Sequence, residues 1–331
     1  MRSLLAGDIG GTNARLAYFE VDEPGATAPA LRLVARREFP TREHPGLGAI
    51  LELFRRADPR PIDAAAIGIA GPVKGGRSDT PNLAWRVDGS ELAQVLGLAK
   101  VELVNDLAAN AYGLAYLQAE DLEVLHPGAD DAQGHLAVIS AGTGLGQAGL
   151  FWDGARHWPF ASEGGHCDFA PHDVLGVELW SWLSRKGHVS YERVLSGPGL
   201  VALFDFFRET GRGAPSAKVT QELAEDDPAA VIARHGLAKT DALCAQVLDR
   251  FVTIYGAAAG NVALQFFATG GIYVGGGIAP KIRARLRGGA FLEAFLAKGR
   301  MRPLLEQIPV KLVLNDKAAL WGAAHVAAFG L

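Results

Sequence analysis

At 331 residues, with 49% hydrophobic and 21% charged side chains, the chain exceeds one ordinary core and is composed like a globular protein, so two lobes are expected. A net charge of −4 and a pI of about 6.1 exclude a basic field for nucleic acid, and no apolar run reaches membrane-spanning length, so neither partner is expected. Two distant cysteines, Cys167 and Cys244, argue against a disulfide framework and structural zinc, and with no signal-peptide pattern the expected compartment is the cytoplasm.

Periodicity predicts two opening strands, Leu4–Ala6 and Ala14–Phe19, joined by the Gly-rich turn GDIGGTN. A helix follows over about 46–57. The strand Ala64–Ile69 then ends in the breaker GPVKGG, and the strand Val101–Val104 ends at Asn105-Asp106 and feeds a helix over 107–117. Strands alternating with helices predict an α/β architecture with helix-covered sheets. The order occurs twice: LAVISAGTGLGQAGLFWDG, GGIYVGGGIAP and VKLVLNDKAALWGAAHV repeat the hairpin, the strand with a Gly/Pro break and the strand ending in Asn-Asp. Residues 156–265 interrupt the second copy as an insertion with its own helices. The expected domains are 1–115 plus about 307–331, a small α/β domain, and 116–306, a large α/β domain with a helical insertion.

The glycines around Asp8 remove side chains that would keep a phosphate from the backbone amides, so Gly7, Asp8, Ile9, Gly10, Gly11 and Thr12 are candidate nucleotide contacts. Asp8 is the candidate Mg²⁺ ligand, directly or through water, because that ion takes few protein carboxylates and keeps phosphate and water in its shell; the plainer role is an Asx-turn. The turn is neither a Walker A sequence nor a dinucleotide fingerprint. Gly142, Thr143 and Gly144 form a second such turn, completing a two-turn phosphate clamp. Gly275-Gly276-Gly277 ends a strand and either admits an adenine ring or simply turns the chain, with Gly276 and Gly277 the candidate contacts. The basic stretch Lys281 to Arg302 reads as a solvated helical face or a cationic rim near phosphate.

Asp106 is the candidate general base. It lies at a strand's C-terminal end, where ligands gather in α/β sheets, and its carboxylate can accept a hydroxyl proton, although an Asp there also makes a good helix N-cap. Its counterpart Asp316 is assigned mostly to capping, and Asn105 is a polar contact to the same substrate. In EGGHCDFAP, Glu163 and His166 flank two glycines that suggest close approach to a ligand, and such groups suit recognition of hydroxyls. Glu192 in HVSYERVLSGPGL reads by itself as a helix-capping residue, and Asn82 in TPNLAW as a turn residue carried as a substrate-binding candidate.

Taken together, GDIGGTNAR, AGPV, TPNLAW, VNDL, SAGTGLG, EGGHCDFAP, GHVSYERVLSGPGL and GGGIAPK resemble the bacterial glucokinase family of the proteobacterial type, over nearly the whole chain. GDIGGTN is shared across many sugar kinases, whereas EGGHCDFAP with ERVLSGPGL is far more specific. The resemblance implies a two-lobed, duplicated actin-like ATPase (ribonuclease H-like) fold with a central cleft. It also implies an ATP- and Mg²⁺-dependent cytoplasmic homodimer that phosphorylates glucose. Asp106 is then the base, Asn105, Asp106, Glu163, His166 and Glu192 bind the sugar, and the turns at 7–12 and 142–146 hold ATP phosphates. The rivals are a kinase for another hexose, such as mannose or an N-acetyl sugar, and a sugar-binding regulator on the same fold. The segment over about 207–240 has no assigned counterpart.

Overall fold

The computed structural model describes residues 1–22, 31–71, 73–80, 83 and 85–330. It divides into two compact units: Met1–Gln118, Pro159–Ala161 and Asp316–Leu331 form the first, and Ala119–Trp158 and Ser162–Asn315 the second. Strand Val310–Val313 thus belongs to the second unit, while the helix after it belongs to the first.

In the first unit, strands β1 (Arg2–Ile9), β2 (Asn13–Val21) and β3 (Leu31–Pro40) form an antiparallel meander. Helix α1 (Leu47–Ala57) leads to β4 (Ala64–Ile69), and β5 (Arg77–Asp79) pairs with β6 (Arg86–Asp88) ahead of α2 (Gly89–Leu96). Strand β7 (Val101–Asn105) then runs into α3 (Asp106–Gly113). The five-stranded sheet has the order β3-β2-β1-β4-β7, with β1, β4 and β7 parallel. Alternation along β1 sends Leu5 and Ile9 into a core with Ile50, Leu51 and Phe54 of α1, and Leu4 and Ala6 into a second core on the other face. The missing β-carbon of Gly7 leaves room for Ile67, whose Cδ1 would otherwise lie 2.6 Å from it.

In the second unit, β8 (Leu122–His126), β9 (Leu136–Ala141), β10 (Leu145–Trp152) and β11 (His157–Ser162), whose middle residues Pro159–Ala161 group with the first unit, precede five helices, α4 (Val174–Ser184), α5 (Gly197–Glu209), α6 (Ala217–Glu225), α7 (Pro228–Ala238) and α8 (Ala242–Gln265). Strand β12 (Gly271–Gly275) follows, then α9 (Arg283–Leu286), α10 (Ala290–Leu296), α11 (Arg302–Glu306) and β13 (Val310–Val313). The sheet order is β11-β10-β9-β12-β13-β8, with β9, β12 and β13 parallel and the β9/β10 hairpin antiparallel. The run β11-β10-β9-β12-β13 repeats the pattern β3-β2-β1-β4-β7, so the duplication read from the motifs is a duplication of strand order. The apolar α8 carries this unit's core, burying Val247, Leu248, Phe251, Ile254, Tyr255 and Val262 among others.

The last helix, α12 (Lys317–Phe329), packs in the first unit against α3, β1 and β4. The two helices touch backbone to backbone: a β-carbon on Gly113 would lie 1.8 Å from the Ala318 carbonyl oxygen, and one on Gly322 would lie 1.7 Å from that of Ala109.

Candidate active site

The candidate groups fall into two sets, one in each unit. In the first unit, Gly10, Gly11 and Thr12 form the β1/β2 turn, closed by the Gly10 N–H donating to the Asn13 carbonyl at 2.9 Å. The Gly11 carbonyl accepts from the Thr41 hydroxyl at 3.0 Å, and that of Thr12 accepts from the Thr41 N–H at 2.9 Å, which pins the turn to the end of β3. Gly7 and Ile9 differ from expectation. Gly7 is a strand residue whose bareness accommodates Ile67, and the Ile9 side chain is buried in the core, so the turn itself narrows to residues 10–12.

Asp8 is also in the strand rather than in an Asx-turn, and it stands opposite Arg15 across the hairpin. Arg15 Nη1 donates to Asp8 Oδ2 at 3.0 Å, and Arg15 Nη2 lies 2.9 Å from Asp316 Oδ2. Burial pushes the Asp8 carboxyl up against the pull of Arg15. The partnership also corrects the expectation for Asp316. It occupies the N-cap position of α12 without a side-chain capping bond, and its carboxylate pairs with Arg15 instead.

At the start of α3 the capping role moves by one residue. Asn105 is the N-cap, its Oδ1 accepting from the N–H groups of Leu107 and Ala108 at 3.0 and 3.2 Å, while its Nδ2 donates to the Gly71 carbonyl at 3.1 Å. Asp106 lies in the helix's first turn, with Oδ1 accepting from the Leu107 N–H at 2.9 Å. The helix start is thus satisfied by Asn105, which leaves that residue's second amide N–H for a ligand. Asn82 lies outside the described residues.

In the second unit, the segment 165–169 is laced to 189–192. The Phe169 N–H donates to Val189 at 2.8 Å, that of Tyr191 to Cys167 at 3.0 Å and that of Glu192 to Gly165 at 3.0 Å. This ladder brings Glu163, His166 and Glu192 into one loop cluster. The glycines there serve the protein's own packing: a β-carbon on Gly165 would lie 1.9 Å from the Leu145 carbonyl oxygen, and one on Gly164 would lie 2.2 Å from Gln147 Oε1. His166 Nε2 and Glu163 Oε2 are 3.9 Å apart and their side chains are 61% and 69% exposed, which leaves both open to a ligand. Glu192 precedes α5 and caps no helix; its Oε2 accepts from the Leu145 N–H at 2.9 Å, beneath the turn formed by Gly142 to Gly144.

That turn is closed by the Gly142 N–H donating to the Gly144 carbonyl at 2.8 Å and is tied to α5 by the Gly197 N–H donating to Gly142 at 2.8 Å. Beside it, Gly276 has φ of 86° and sits where a β-carbon would be 2.3 Å from the Ala141 carbonyl oxygen. Below both turns the buried Tyr255 hydroxyl accepts from the Ala141 N–H at 3.2 Å and donates to the Gly275 carbonyl at 2.9 Å. Gly142, Thr143, Gly277 and Ile278 wall one end of a cavity of about 760 Å³. Its sides are Leu200 and Val201 of α5 and Ala229, Ala230, Ala233 and Leu237 of α7, with Asp227, Arg234 and Lys281 as the charged groups on its lining. A mostly apolar slot ending in exposed backbone at two glycine turns suits a flat base with an anionic tail. The basic stretch is divided: Lys281 lines the cavity, while Arg285, Arg287 and Arg302 are engaged by Asp249, Glu123 and Glu306.

Three parts of the site escaped sequence reasoning. Arg15 was legible in principle, because a hairpin turning at 10–13 sets residue 15 opposite residue 8. The α7 wall came from the segment without an assigned counterpart, and Tyr255 carries no motif at all.

The glucokinase family model matches residues 5–329. A glucokinase of Nostoc punctiforme is 40% identical over 343 aligned positions, covering 99% of each chain. Among solved structures, a glucokinase from an Antarctic psychrotroph shares 32% identity with a TM-score of 0.83, covering 99% of both chains. A ROK family glucokinase from Streptomyces griseus, solved with glucose and AMPPNP, has 22% identity and a TM-score of 0.65 over 98% of this chain and 99% of that one, a likeness of fold.

Proposed function

Because the chain belongs to the glucokinase family, we infer that it transfers the γ-phosphate of ATP to a hydroxyl of glucose, releasing ADP and glucose 6-phosphate. The observation that carries this reading is the turn at 142–145. One side of it walls the mostly apolar cavity of about 760 Å³, and its far end donates to the carboxylate of Glu192 in the loop cluster suited to hydroxyls. A nucleotide's phosphates and a polyol acceptor would therefore meet at one piece of backbone.

In this mechanism Glu163, His166 and Glu192 hydrogen-bond the sugar, as does the remaining N–H of Asn105. Such bonds reject analogues that lack the hydroxyls, since the protein groups would then stay unpaired. Asp106 accepts the proton of the attacking hydroxyl as the new P–O bond forms and the bond to the ADP oxygen breaks. Backbone amides of Gly11, Thr12, Thr143 and Gly144 stabilise charge on the moving phosphoryl. The adenine lies in the cavity between α5 and α7, against Gly276 and Gly277. Asp8, a carboxylate 13% exposed and held through one oxygen by Arg15, fits the few-carboxylate requirement of Mg²⁺ and would hold it through water. The ion would neutralise phosphate charge when bound. We also propose that the enzyme works in the cytoplasm as a homodimer, as the family resemblance implies. No helix among the described residues is long and apolar enough to cross a membrane.

The test is an ADP-coupled assay with MgATP over glucose, mannose and N-acetylglucosamine, run on the wild type and on Asp106→Asn. Glucose should give the strongest turnover, and the variant should lose about 10²-fold or more of it while keeping its fold. Near-normal turnover by a folded Asp106→Asn protein would remove the base assignment. Preference for another sugar would change the substrate, and no sugar-dependent ADP release would end the kinase reading.

A further inference from the structure

Behind the loop cluster lies a partly buried polar chain that the reaction does not use directly. Lys298 follows α10, and its ammonium donates to the Ala257 carbonyl at 2.8 Å and to Asn261 Oδ1 at 2.7 Å, both on α8. Since Oδ1 is committed to the ammonium, the amide's Nδ2 faces the other way and donates to the Tyr191 hydroxyl at 2.6 Å. The Tyr191 ring meets Phe169 edge-on, with centroids 5.6 Å apart. Tyr191 is 6% exposed and immediately precedes Glu192.

The surrounding helices make room for this chain. A β-carbon on Gly256 would lie 2.0 Å from the Phe291 carbonyl oxygen, and one on Gly260 would lie 2.6 Å from both the Phe295 carbonyl oxygen and Lys298 Cε. The glycines of α8 thus let α10 approach closely and admit the lysine stem alongside. The two acceptors of the ammonium are neutral, and burial pushes Lys298 down to about 8. A packing role alone would be met at lower cost by an apolar side chain of similar length.

We propose that Lys298, Asn261 and Tyr191 form a relay that fixes Glu192 and the 165–170 segment in register, which makes Lys298 and Tyr191 positioning residues for the acceptor sugar. The proposal rests on the reading of Glu192, Glu163 and His166 as the sugar-binding groups. The tyrosine's hydroxyl is held by Asn261, its N–H by the Cys167 carbonyl, its carbonyl by the N–H groups of Val194 and Leu195, and its ring by Phe169, so the hydroxyl is the side chain's polar anchor to the relay. Losing the hydroxyl cuts the link through Asn261 to Lys298 and loosens the next residue, whose carboxylate must hold both the Leu145 N–H and the sugar.

The test compares Lys298→Met, Tyr191→Phe and the double variant with the wild type for glucose KM, ATP KM, kcat and thermal midpoint. Each single variant should raise glucose KM about tenfold, the loss expected for a hydrogen bond to or through a charged group, with ATP KM and kcat little changed. The double variant should be no worse than the poorer single one, because both cut the same chain. Should Lys298→Met fail to fold, Tyr191→Phe, which removes one oxygen atom, decides alone. An unchanged glucose KM in folded Tyr191→Phe, a parallel rise in ATP KM, or fully multiplicative effects in the double variant would each overturn the relay. Wild-type turnover on glucose, measured first, tests the family reading separately, so a wild type that uses glucose beside indifferent variants sinks the relay alone.

Discussion

Replacing Tyr255 by phenylalanine isolates a single hydroxyl. The ring is fully buried and would stay in place, so no large cavity opens. What disappears is the oxygen that accepts from the Ala141 N–H and lies 2.9 Å and 3.2 Å from the carbonyl oxygens of Gly275 and Ile139. One proton serves one acceptor at a time, so the groups left unsatisfied are the Ala141 N–H and the Gly275 carbonyl. An unmet buried polar group costs about 1–3 kcal/mol, and with partial relaxation the pair should cost about 2–3 kcal/mol. For a unit of this size that is a fall of about 5–10 °C in Tm. Because Ala141 and Gly275 begin the two turns that end the cavity between α5 and α7, ATP KM should rise several-fold while glucose KM stays nearly constant. Burial holds the phenol far above the usual tyrosine range, so it is a neutral donor throughout the working pH range and the effect should not vary with pH. Differential scanning calorimetry and steady-state kinetics at two pH values provide the check. A variant with Tm within about 1 °C of the wild type would refute the reasoning, since the unmet groups must then have found partners at no cost.

Gly322→Ala should destabilise the first unit by about 1–3 kcal/mol or more, because the new methyl meets the Ala109 carbonyl oxygen and neither helix backbone can yield. An unshifted urea midpoint would contradict it. Glu222 accepts from Arg234 at 2.6 Å and faces His235 at 2.7 Å, and these hydrogen bonds hold its carboxyl down to about 2 from an ordinary 4.5. A depressed carboxyl contributes stability above its unfolded value and loses it as pH falls through the folded one, so Glu222→Gln should flatten acid destabilisation between about pH 4.5 and 2. Acid-unfolding curves that superimpose on the wild type would rule this out.

Legibility followed chemistry that repeats. The two hairpins, β4, β7, β12 and β13 were readable because Gly turns and apolar runs recur in the same order, and the two sheets share that order. Asp106 and Glu163 stood out as carboxylates after a strand and beside paired glycines, each with a plain rival in helix capping or loop ordering. Glycine was the least readable residue. Gly7, Gly164 and Gly165 look like open approaches for a ligand, yet the space they leave is taken by Ile67, Gln147 and Leu145, neighbours that no local pattern specifies. Capping misled for a similar reason. Asn105 and Asp106 are adjacent and both suited to the task, and only the geometry of the β7/α3 junction decides between them. The relay behind Glu192 and the hydroxyl of Tyr255 rest on pairs twenty or more residues apart, beyond any periodicity argument.

The return of α12 to the first unit has a consequence during synthesis. Leu4, Ala6, Phe19, Ala66 and Val104 share a core with Leu320, Ala323 and Ala324, so residues 1–118 emerge from the ribosome with one face of their sheet uncovered. The segment that covers it follows about 200 residues later, a delay of about 10–40 s at ordinary elongation rates. The first unit to be made is therefore the last to be completed. The second unit is synthesised during that interval and receives its own last strand, β13, just before α12, so the nascent chain's exposure to chaperones and to aggregation lasts longest on the Leu4–Phe19 face.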